Sequence, residues 1–229
     1  MRGKSLGLLN LEMLRGLAVF WFAAFSGLAL LGQQPAEFQI DFTNAQLAPS
    51  HWMLKFTADG NGQFDAEGGH PAKDDTNMIW AGDVHRPVQL SPAFAEQVFA
   101  TARMRRFFAF PCESHMKVAF QGTKRLSYAG PEGNGACEFN FSKDKQIEAL
   151  ATSLLGVEYT ILSGARMEKL LQHDRLGLDA ELESLTTAVR DGNAMEVGTI
   201  REVLTRIATD EDVLERARRK ARLLLTQVP

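Results

Sequence analysis

Apolar and polar residues alternate in two short stretches near residue 40 and residue 54. Phe38, Ile40 and Phe42 are separated by polar residues, and Trp52, Leu54 and Phe56 repeat the pattern. Period-two spacing puts all apolar side chains of such a stretch on one face, so each predicts a half-buried strand. Asp59-Gly60-Asn61-Gly62 is a turn signal and leads into Gln63-Phe64-Asp65-Ala66, which predicts a hairpin. Residues 68–87 are polar and glycine-rich around an apolar knot at Met78-Ile79-Trp80. They read as a long surface loop with room for one short strand.

The period then changes. Ser91-Pro92 is a helix start, with serine able to cap and proline suited to the first turn. Phe94, Ala95, Val98, Phe99 and Ala102 share one helical face, and Arg103, Arg105 and Arg106 close the helix where positive charge suits the dipole. Alternation returns between Phe107 and Phe141. Met116, Val118 and Phe120 predict a strand, with Gly122-Thr123 as a two-residue hairpin loop. Leu126 and Tyr128 predict the return strand. A loop from Gly130 to Gly135 follows, and Cys137, Phe139 and Phe141 share a face of a third strand.

Beyond Ser142 the spacing is helical. Ile147, Leu150 and Leu154 form one stripe; Ile161, Leu162, Met167, Leu170 and Leu171 form a second, with Gly156 and Gly164 as candidate interruptions. Leu178, Leu182, Leu185 and Val189 predict a helix ended by Gly192-Asn193, and Val197, Ile200, Val203, Leu204 and Ile207 predict the next. A last helix is placed from Thr209, whose spacing to Asp212 resembles a capping box. Its acidic start and its basic run at Arg218, Arg219, Lys220 and Arg222 complement the helix dipole.

Strands grouped ahead of helices imply the α+β class. The expectation is a small antiparallel β-sheet of about four or five strands, packed on the helix at 92–105 and followed by an all-helical C-terminal region. Three segments result: an N-terminal piece over 1–32, an α+β domain over 37–155 and a helical bundle over 156–229.

The N-terminal piece changes the setting. Gly16 to Gly32 carries no charge and follows Arg2, Lys4 and Arg15, a pattern that predicts a signal peptide over residues 1–32. The rival reading is an uncleaved membrane anchor over 16–32, since a spanning helix takes about 20 apolar residues. The expected location is periplasmic or secreted. The chain has a net charge of −3, and without the three basic residues and one acidic residue of positions 1–32 it falls to −5. A mildly acidic exported protein is a poor match for nucleic acid, or for a membrane surface other than through that N-terminal segment. The two cysteines, in an oxidising compartment, predict one disulfide, Cys112–Cys137. A reactive thiol at Cys112 beside His115 is the other reading.

Candidate chemistry is sparse. Thr57 to Gly68 resembles the calcium loop of the EF-hand family, with Asp59, Asn61, Gly62 and Asp65 at its third, fifth, sixth and ninth positions. Thr57 stands where that family has its first acidic ligand and Gly68 where it has glutamate, so a plain hairpin turn is the competing reading. His51, His70, His85, His115 and His173 show no metal-site spacing, and no nucleophile elbow, phosphate loop or dinucleotide fingerprint occurs. No cofactor is expected. His70, Asp83 and His85 are the residues a loop-borne hydrolase would use.

The run GTKRLSYAGPEGNG from Gly122 to Gly135, with HDRLGLDAEL at 173–182, resembles a family of uncharacterised exported bacterial proteins. That resemblance implies export and no particular activity. Leu90 to Pro111, a helix followed by Phe107-Phe108-Ala109-Phe110-Pro111, is similar to emfourin-type protease inhibitors, which implies a small α+β domain. The expected role is a non-enzymatic module that binds another protein. A calcium-dependent module and a hydrolase are the alternatives.

Overall fold

The structure is a computed structural model, and it describes residues 35–69 and 80–228. The segment read as signal peptide or anchor lies outside the described residues, as do His70, Met78 and Ile79.

The strands predicted from alternation form where expected: β1 (Glu37–Thr43), β2 (His51–Thr57) and β3 (Asn61–Glu67). β4 (Val84–Gln89) follows, then α1 (Pro92–Met104), β5 (Thr123–Gly130) and β6 (Gly133–Phe139). All six strands join one antiparallel sheet in the order β4-β3-β2-β1-β5-β6. The class is α+β, as the sequence predicts. The sheet has six strands against the four or five expected, and its edge strand β4 begins inside the segment read as a loop with room for one short strand. Only Val84 and Val88 of β4 are fully buried, and Pro87 breaks its pattern. Proline is tolerated there because β4 is an edge strand, where a missing N–H costs no ladder bond.

Met116 to Gln121 is not a strand, which corrects the three-stranded meander. In register, β5 pairs with β1 on one side and β6 on the other, so no edge of β5 remains for it. The loop expected from Gly130 to Gly135 is also shorter. Both strands run on to Gly130 and Gly133 around Pro131-Glu132. The glycines serve close packing instead: a Cβ on Gly133 would lie 2.4 Å from the Phe107 ring, and one on Gly135 2.5 Å from the Phe107 carbonyl oxygen.

The inner face of the sheet carries Phe38, Ile40, Phe42, Trp52, Leu54, Phe56, Phe64, Leu126, Tyr128 and Phe139, all buried. α1 lies on this face through Phe94, Val98 and Phe99, and its N-terminus is capped by Ser91 Oγ, which accepts from Phe94 N at 3.2 Å. Phe99 meets Phe56 at 6.0 Å and Tyr128 at 5.8 Å, both edge to face.

α2 (Lys145–His173) is one continuous helix of 29 residues, and neither Gly156 nor Gly164 interrupts it. They are points of close approach: a Cβ at Gly164 would fall 2.4 Å from Ile200 Cγ2, and one at Gly156 3.0 Å from Met195 Cγ. Residues of α2 up to Ala165 belong to the sheet core, and from Met167 onward they belong to a second core. That core is built by α3 (Leu178–Arg190), α4 (Arg201–Thr209) and α5 (Glu215–Thr226).

The last helix starts later than its sequence suggests. Thr209 ends α4, its hydroxyl donating to the Thr205 carbonyl at 3.0 Å, and Asp210–Leu214 is a link. The basic residues of α5 therefore serve ion pairs: Lys220 with Asp179 and Glu183 at 2.9 and 2.7 Å, and Arg216 with Asp179 at 2.9 Å. Among the described residues no helix is long and apolar enough to cross a membrane.

Candidate functional site

Two places combine chemistry with shape, and they lie at opposite edges of the sheet. The first is a recess of about 310 Å³ where β4 meets the middle of α2. Alternation along β4 turns its residues different ways at the rim of this recess. His85 points to the outer, polar face of the sheet, and its Nδ1 lies 2.9 Å from Asp65 Oδ1 on the neighbouring strand. Arg86 turns toward α2 and donates through Nη2 to Glu168 Oε2 at 2.6 Å. Its Nε is buried without a hydrogen-bond partner among the described residues. Asp83 accepts from the Gly68 N–H at 3.3 Å. Lys169, one residue beyond Glu168, lines the same recess, and its Nζ would be 2.9 Å from a Cβ at Gly82.

Of the hydrolase candidates, Asp83 and His85 both line this recess, and His70 lies outside the described residues. Asp65 joins them through His85. Farther along the outer face, His51 stands between Asp41 at 3.3 Å and Glu67 at 3.6 Å.

The calcium-loop residues do not converge. Asp59 sits in the β2–β3 turn, accepting from Thr57 Oγ1 at 2.5 Å, Asn61 N at 3.1 Å and Asn61 Nδ2 at 2.7 Å. Those donors, the threonine hydroxyl first, hold its carboxyl below the usual carboxylate range. Asp65 lies four residues up β3 from Asn61, about 13 Å at strand rise. Among the described residues no group of three or more histidines, cysteines or acidic side chains is placed to hold a metal ion.

The second place is the stretch from Ala109 to Gly122. After α1 a short 3-10 turn at Arg106–Phe108 directs the chain along the outer edge of β6. Cys112 bonds to Cys137 with Cα atoms 5.6 Å apart, and Ser114 N donates to the Phe141 carbonyl at 2.9 Å. An exposed sheet edge invites pairing with other chains, and covering it removes that hazard. The disulfide also leaves no thiol at Cys112.

Residues 115–121 then leave the sheet, held at the start by Glu113 and Ser114, which accept from His115 N and Met116 N at 3.1 Å, and at the end by Asn140. Asn140 Nδ2 donates to the Ala119 carbonyl at 3.1 Å, and Asn140 Oδ1 accepts from Gln121 N at 2.7 Å. The backbone of Asn140 donates to Glu113 Oε2 at 2.7 Å and accepts from Lys124 Nζ at 2.7 Å. Lys124 is 2% exposed, and burial holds its pKa below the usual lysine value. The backbone N–H groups that Glu113 accepts, Asn140's first, keep its carboxyl ionised to lower pH than usual. On this frame Met116, Val118 and Phe120 stand 51%, 37% and 57% exposed.

An apolar cleft of about 540 Å³ separates the start of α1 from the Ala194–Gly198 link. Glu196 closes one side of it in a left-handed conformation (φ 56°), accepting from Ser91 N at 2.5 Å and Ser91 Oγ at 2.8 Å.

No known protein family and no curated protein matches the sequence. The resemblances to exported bacterial proteins and to emfourin-type inhibitors rest on the quoted residues alone. Arg86, Glu168 and Lys169 escape sequence reading because they come from a proline-interrupted strand and a helix some 80 positions away. The only local signal is Arg86 following His85 in a stretch read as loop.

Proposed function

We propose that the chain is an exported, non-enzymatic module that binds another protein through Met116, Val118 and Phe120. One observation carries this reading: three large apolar side chains are kept in water by a stretch that is itself firmly anchored. The Asn140 side chain holds Ala119 and Gln121, and Glu113 and Ser114 accept from the N–H groups of His115 and Met116, so little ordering entropy remains to be lost on binding. Apolar side chains clustered on a surface mark interaction sites when they are contiguous. Export is supported by the uncharged run Gly16–Gly32 and by the Cys112–Cys137 bond, which suits an oxidising compartment.

The test is a photo-cross-linking amino acid placed at Val118 of the full chain in its own cell, with Lys55 on the outer sheet face as control position. A partner cross-linked from position 118, absent from position 55 and lost in Phe120→Asp, is the expected outcome. No reproducible product from position 118 removes the reading. Mass spectrometry of the protein from the same cell fixes its first residue and decides between a cleaved signal and a retained anchor.

A hydrolase is the second reading, favoured by the Asp65–His85 contact at 2.9 Å beside Asp83. An aspartate that holds one ring nitrogen leaves the other free to act as a base. A blank substrate screen of the pure protein would count against it.

A further inference from the structure

The recess between β4 and α2 has a charge pattern that is only half settled inside the protein. Arg86 is neutralised by Glu168 at 2.6 Å, and His85 is held by Asp65 at 2.9 Å. Two charges in the same recess remain. Among the described residues Lys169 has no hydrogen bond or ion pair, and Asp83 accepts only a backbone N–H. Although both line the recess, they do not bond to each other.

We propose that this recess binds a small zwitterion of the amino-acid or dipeptide class, its carboxylate at Lys169 and Arg86 and its ammonium at Asp83. A guanidinium and an ammonium together suit a carboxylate.

Charge selects against the obvious rivals. Arg86 and Lys169 balance Asp83 and Glu168, so the four side chains sum to zero. A doubly charged phosphate would meet two carboxylates with no surplus positive charge to offset it. A metal cation would meet the guanidinium and the ammonium. A neutral molecule with separated charges matches both ends. Size agrees, since about 310 Å³ is at the small end for ligand sites. The site is independent of the reading proposed for Met116 to Phe120, and either can fail alone.

The experiment follows backbone amide shifts of the full chain during titration with glycine and with glycylglycine. Acetate, methylammonium and inorganic phosphate serve as partial or rival probes. The expected result is saturable shifts at Gly82, Asp83 and Lys169 with a millimolar dissociation constant for at least one zwitterion, and at least about tenfold weaker binding of acetate and methylammonium. Lys169→Met and Asp83→Asn should each weaken the zwitterion about tenfold at unchanged melting temperature, and Lys169→Arg should restore part of it. Three outcomes overturn the proposal: no saturable shift with either zwitterion up to about 20 mM, phosphate or acetate binding as tightly, or both variants binding like the parent chain.

Discussion

The two cores of this protein are filled differently. Between the sheet and its helices the interior is aromatic: Phe42 stacks on Trp52 at 5.4 Å, Phe99 meets Tyr128 edge-on at 5.8 Å, and Phe107 stacks on Tyr128 at 4.8 Å. The helical core from Met167 to Leu224 has no buried aromatic ring, and Leu, Ile, Val and Ala fill it. Side chains stand out from a sheet in parallel rows, so broad rings can cover the space up to a helix. Helices that approach closely leave room only for small or branched chains, as Gly164 against Ile200 and buried Ala217 and Ala221 show. α2 belongs to both cores, so the difference in filling does not imply two independent folding units.

That comparison can be broken by mutation. The largest effect is expected for Trp52→Ala, which empties the centre of the aromatic core and should cost about 3–5 kcal/mol in urea denaturation. If α2 couples the two cores, the whole chain still unfolds in one transition, whereas a helical remnant melting separately would show two units. Replacing Cys112 and Cys137 together by serine should cost about 3 kcal/mol on the chain-entropy account of a closed loop. Hydrogen exchange should then rise first at 107–122 and along β6, before the helical core responds.

Gly164→Ala should cost about 1–3 kcal/mol, because the new methyl overlaps Ile200 and one of the two must move. If thermal melting shows no loss, the two helices are not in the close contact described. The smallest effect is a pH dependence at Glu158. Burial pushes its pKa up from 4.5 to about 7, opposed by the charge of Arg166. Between those values the folded chain keeps a proton that the unfolded chain releases, so stability should fall as pH rises from 4.5 to about 7. The side chain is partly exposed, which trims the effect. Glu158→Gln should therefore gain on the order of 1–2 kcal/mol above pH 7 and nothing below pH 4.5. Equal stability of the two proteins at pH 8 would show that water reaches the carboxylate freely.

The legible parts of the chain were those whose periodicity reported burial directly. β1, β2, β3, α1 and α3 lie where alternation or helical spacing put them, and the cysteines pair as the composition suggested. Misreadings share a cause. Met116, Val118 and Phe120 have the spacing of a strand, but β5 has no free edge for them to join. Glycines at 133, 135, 156 and 164 read as breaks in the pattern, yet each marks a close approach by a partner distant in sequence. The recess was half visible, since Asp83 and His85 could be named but not the residues of α2 opposite them.

Local spacing alone thus settled the α+β class, the hairpin and the first helix. Each of these depends on which side of an element avoids water, and that is written in consecutive residues. Folding decided the rest: the insertion of β1 between β2 and β5, the exposed apolar stretch and the meeting of Arg86, Asp83 and Lys169. Those outcomes depend on which edges and faces are already occupied, a constraint that exists only once the elements have come together.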